Sequence, residues 1–68
     1  MKKELKDIML DEGITAEEFL KTVPEKHKQN VITVIYDILK LGIPLHEGEI
    51  QWRARELYVQ QHLKDYLE

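Results

Sequence analysis

Residues 31–41 read VITVIYDILKL, and no other stretch restricts the fold of this chain so strongly. Wound at about 100° per residue, Val31, Ile32, Val34, Ile35, Ile38, Leu39 and Leu41 cover roughly half of a helix circumference. A helix this apolar needs neighbours on at least two sides, so it must run through the middle of the domain. Its β-branched residues lower helix propensity, and a buried strand is the rival reading. Length and ending favour the helix. Gly42 stands where a left-handed stop residue belongs, Ile43 can fold back on Ile38, and Pro44 forbids continuation. Pro24 suits the first position of the same helix, where its missing N–H costs nothing.

Two shorter helices are expected before it. Leu5, Ile8 and Met9 recur at helical spacing, and Gly13 follows as a stop. In GITAEEFL, Thr15 can cap a second helix while Glu18 reaches back to the Thr15 backbone N–H. Ile14 can then pack on Phe19 as the hydrophobic staple. Pro24 ends that helix early, because it disfavours helical geometry at Val23. After the connector IPLHEG, a last helix begins between Glu47 and Glu49 and runs to about Tyr66. The expectation is one all-α domain over residues 1–68, a small bundle of about four helices, two short and two longer.

A core in a chain of 68 residues rarely supplies more than about 3–5 kcal/mol without added support. Cysteine is absent, which removes disulfides and thiolate metal sites and suits a reducing cytoplasm. Self-association or a protein partner is the support left open. No apolar run approaches the roughly 18 residues of a membrane span, and MKKELKDIML lacks the apolar core of a signal peptide. A soluble cytoplasmic protein is therefore expected. Net charge is −3, which gives no basic footprint for nucleic acid.

The last helix carries two apolar stripes. Ile50, Ala54, Leu57 and Tyr58 fall on one side, whereas Trp52, Val59, Leu63, Tyr66 and Leu67 lie nearly opposite at about 100° per residue. One stripe can close the core. The other can meet a second chain, for example as an antiparallel helix pair in a two-fold dimer. Tryptophan and tyrosine are frequent interface anchors, so Trp52, Val59, Leu63, Tyr66 and Leu67 are the candidate protein-interface residues. Burial of both stripes by neighbouring helices of the same chain is the competing reading.

Reactive chemistry is sparse. His27, His46 and His62 sit in three separate segments without the spacing of a helical metal site. Serine is absent, and neither Thr22 nor Thr33 has an evident base. A non-enzymatic protein without metal, cofactor or small-molecule substrate is expected. Lys21, Lys26 and Lys28 surround the start of the central helix, and Arg53 and Arg55 flank Trp52 on the last one. These five are the candidate phosphate or nucleic-acid contacts. A solvated turn balanced by Glu17, Glu18 and Glu25 is the favoured explanation of the lysines.

The stretch LKDIMLDEGITAEEFLKTV, residues 5–23, resembles the first two helices of phage-repressor and Cro-type helix-turn-helix domains. The likeness rests on Gly13, Ile14, Thr15, Glu17 and Glu18. VITVIYDILKLGIPL resembles the last helix of such domains. The family follows its second helix with a short polar recognition helix that reads base edges in the major groove. Here EKHKQN runs straight into the apolar helix, so no base-contacting residue is carried over. Two functions are thus expected in order. The first is a small regulator or adaptor acting by protein–protein interaction and self-associating through its last helix. The second, implied by the resemblance, is a DNA-binding regulator of helix-turn-helix type.

Overall fold

The computed structural model describes residues 4–63. It contains a 3-10 turn at Leu5–Asp7 and three α-helices: α1 (Ala16–Lys21), α2 (Glu25–Leu41) and α3 (Glu47–Gln61). The described residues are all-α, with three α-helices among them where about four were expected. Among the described residues the only β feature is an isolated antiparallel bridge between Met9 and Thr15. No described helix is long and apolar enough to cross a membrane.

The helix expected around Leu5, Ile8 and Met9 is replaced by the turn and an extended segment. The backbone is already extended at Ile8, with φ −96° and ψ 122°. Ile8 and Leu10 are buried while Met9 between them is exposed, the alternation of extended chain. The Ile8 carbonyl accepts from Ala16 N–H, and Leu10 N–H donates to the Ile14 carbonyl, both at 2.8 Å. These bonds satisfy backbone groups that a helix would have paired internally. Gly13, at φ +92°, closes the tight loop between the two arms; its N–H donates to the Leu10 carbonyl at 3.0 Å. It is a hairpin glycine, not a helix stop.

Beyond the loop, the Thr15 hydroxyl accepts from Glu18 N–H at 3.1 Å, forming that half of the expected capping box. Ile14 packs on the core that includes Phe19. A six-residue helix is not stable on its own, so α1 is held by the burial of Ala16, Phe19 and Leu20. Pro24 stands one residue earlier than expected, as the N-cap of α2 rather than its first residue. The helix buries Asn30, Val31, Val34, Ile35 and Ile38 and ends as the sequence indicates. Gly42 is left-handed at φ +71°, and its N–H donates to the carbonyls of Ile38 and Leu39. Ile43 stays largely exposed, and Leu45 takes the inward position.

The helices α2 and α3 form the most extensive packing in the fold, with α1 closing one side. Phe19, Val31, Ile35, Ile38 and Ile50 are the largest fully buried side chains. The N-terminal loop is tied to the entrance of α3. Asp11 N–H donates to the Leu45 carbonyl at 2.7 Å, and Glu12 Oε1 accepts from Glu47 N–H at 3.2 Å. His46 lies between the two acids, its Nε2 3.3 Å from Asp11 and its Nδ1 3.8 Å from Glu12. His46 is the N-cap of α3 but contributes no side-chain cap, so Glu12 supplies the acceptor from 35 residues away. A carboxylate there also suits the positive end of the helix dipole.

At the far end, α2 and α3 are joined by a reciprocal amide pair. Asn30 Nδ2 donates to Gln61 Oε1 at 3.1 Å, and Gln61 Nε2 donates to Asn30 Oδ1 at 3.2 Å. Asn30 is buried, so Gln61→Ala leaves its amide without this partner, at an expected cost of about 1–3 kcal/mol. Urea unfolding should show that loss for the single variant and recovery of most of it in Asn30→Leu/Gln61→Leu. An unchanged midpoint in Gln61→Ala would mean the pair contributes nothing.

Candidate functional site

The two stripes of α3 have different fates. Ile50 and Ala54 are 0% and 1% exposed and face α2, with Leu57 and Tyr58 half-buried beside them. On the opposite arc, Trp52 is 61% exposed and Val59 46%. Leu63, just past the His62 C-cap, is 47% exposed. Tyr66 and Leu67, the remaining candidate interface residues, lie outside the described residues. α3 spans Glu47–Gln61 and Leu63 after the His62 cap is again helical; the expected continuation to about Tyr66 lies outside the described residues.

Placing Trp52 at zero and adding about 100° per residue sets Val59 within about 20° of it, and Ile50 and Ala54 about 160° to either side. The apolar outer arc is therefore centred directly opposite the core. Trp52 separates two shallow hollows. One lies between α2 and α3 and is lined by Val34, Asp37, Arg53, Glu56, Leu57 and Gln60 together with Trp52. The other lies on the outer face, between Trp52, Arg55, Glu56, Val59 and Gln60.

The five basic candidates do not form one patch. Arg53 is committed to Glu49 one helical turn back, its Nε and Nη2 donating to the same carboxylate oxygen at 3.0 and 2.8 Å. Lys28 sits 3.7 Å from Glu25. Lys26 lies over the Tyr58 ring, 5.6 Å from its centroid. Lys21 is exposed in the last turn of α1. Arg55 is brought from α3 to the α1–α2 turn that Lys21 and Lys26 flank in sequence, where it lines a cleft with Thr22, Val23, Pro24, His27 and Gln51. Arg53 and Lys28 are thus explained by ion pairs within single helices, leaving Lys21, Lys26 and Arg55 without a carboxylate among the described residues.

Two groupings had escaped the sequence reading. His27 packs edge-on against Tyr58 at 4.9 Å, and Tyr58 meets the ring of His62 at 4.3 Å, so the start of α2 and the end of α3 share one aromatic cluster. Asn30 ends the polar run EKHKQN, yet its spacing to Val34 and Ile38 places it on the same inward face. A polar side chain on an apolar arc signals a partner, because burial without one is costly. Among the described residues, no three His, Asp or Glu side chains cluster as a metal site requires.

Over the described residues, the fold and site together define a small all-α unit of three helices with one apolar helix face turned outward. No protein-family model, no curated protein and no solved structure matches the chain.

Proposed function

We propose that the chain acts by binding protein through the outer face of α3, first of all a second copy of itself, as a small cytoplasmic regulator or adaptor. The observation that carries this reading is Trp52. The largest side chain in the sequence is 61% exposed at the centre of an arc that also presents Val59, while the opposite arc is sealed. Large aromatic residues surrounded by smaller apolar ones are the usual centres of interfaces. A cysteine-free domain of this size also has little stabilisation to spare, and association adds to it by mass action.

Sedimentation equilibrium over about a hundredfold range of concentration tests the proposal, with a mass rising from one chain toward two as the expected result. A single chain throughout that range would remove self-association. The second reading, contact with duplex DNA, draws on the position of Arg55 beside the α1–α2 turn and on Lys21 and Lys26 nearby. Backbone contact of that kind weakens steeply with salt. A binding slope near zero eliminates it.

A further inference from the structure

We infer that two copies pair through α3 in parallel, with Arg55 of each chain against Glu56 of the other. The inference rests on the self-association proposed above and adds the orientation and the residues that set it. Arg55 and Glu56 are both exposed, and neither has a hydrogen-bonding or ionic partner among the described residues. This sets them apart from Arg53, Lys28 and Lys6, each of which has a carboxylate within 4 Å. These two charges of opposite sign flank the apolar arc.

Their placement follows from helix geometry. With Trp52 at zero, Arg55 lies about 60° to one side and Glu56 about 40° to the other. Their heights along the axis differ by only about 1.5 Å. In a parallel two-fold pair, the left flank of one helix meets the right flank of the other. Arg55 therefore faces Glu56 of the second copy at nearly its own height, and symmetry repeats the pair on the other side. Trp52 and Val59 then meet their own counterparts between the two ion pairs.

An antiparallel pair centred on the same residues sets left flank against left flank. Arg55 would approach Arg55, and Glu56 would approach Glu56, and like-charge juxtaposition is costly. Sliding the antiparallel centre toward Leu63 relieves the repulsion but leaves all four charges unneutralised at an apolar contact. Flanking charges of this kind select orientation in paired helices generally. Among the described residues, α2 packs on the arc of Ile50 and Ala54, Val34 and Asp37 border the Glu56 flank and the α1–α2 turn borders the Arg55 flank, while Trp52 and Val59 between them stay exposed.

A charge-reversal cycle on the full chain tests the orientation. Arg55→Glu and Glu56→Arg are each expected to weaken dimerisation roughly tenfold, since each turns two attractive pairs into two repulsive ones. The double variant should recover to within about threefold of the parent chain. Circular dichroism of each variant establishes that the exposed substitutions leave the helices intact. Single variants that match or exceed the parent, or a double variant no tighter than the singles, overturn the parallel pairing while self-association stands. A parent chain that stays monomeric overturns both.

Discussion

Phe19→Ala is expected to leave the chain largely unfolded at room temperature. Phe19 is fully buried and anchors α1, a helix too short to persist without its packing. Truncating a buried phenylalanine costs about 3–5 kcal/mol, the loss of transfer energy plus the cavity left behind. The whole stability of a core this size is of the same order, about 3–5 kcal/mol, and no disulfide supplements it. The helical signal near 222 nm should fall toward that of a denatured chain. A cooperative urea transition with native starting helicity would show instead that the α2–α3 pair carries the stability alone.

Ile50→Glu and Trp52→Glu, two residues apart on one helix, are expected to fail in opposite ways. Ile50 has no exposed surface, so a carboxylate there must be ionised without a partner or protonated at a cost, and either exceeds what the fold can absorb. That variant should be unfolded. Trp52 projects into solvent, so the same substitution should leave helicity intact and remove the dimer, with a loss of about 2 kcal/mol or more in association. Helicity by circular dichroism and mass by sedimentation read the two outcomes separately. Should both variants unfold, α3 is enclosed on both sides by its own chain, and the proposed interface does not exist.

These outcomes depend on which stripe of α3 faces inward, and the sequence showed only that there are two. At about 100° per residue both are apolar, and nothing local favours Ile50 over Trp52. The position of α2 decides it. The small Ala54 beside Ile50 lets the helices approach closely, whereas the Trp52 side is left to solvent. The N-terminal segment misled for a related reason. LKDIML satisfies helical spacing through Leu5, Ile8 and Met9, and strand alternation through Ile8 and Leu10. Pairing with residues 14–16 favours the extended form, and that pairing requires the Gly13 loop to close first.

The local chemistry of the sequence determined what needs no distant neighbour: the Thr15 cap of α1, the span and glycine stop of α2, and the two opposed apolar stripes of α3. Each depends on backbone sterics and hydrogen bonds within a few residues, so a short window holds the information. Only the tertiary structure decided that Glu12 caps α3, that Asn30 pairs with Gln61, and that Arg55 and Glu56 stand beside an exposed Trp52 with no partner among the described residues. Those arrangements join residues more than thirty positions apart or depend on what a neighbouring helix leaves uncovered. Burial is a property of the packed whole, and periodicity along one helix does not contain it.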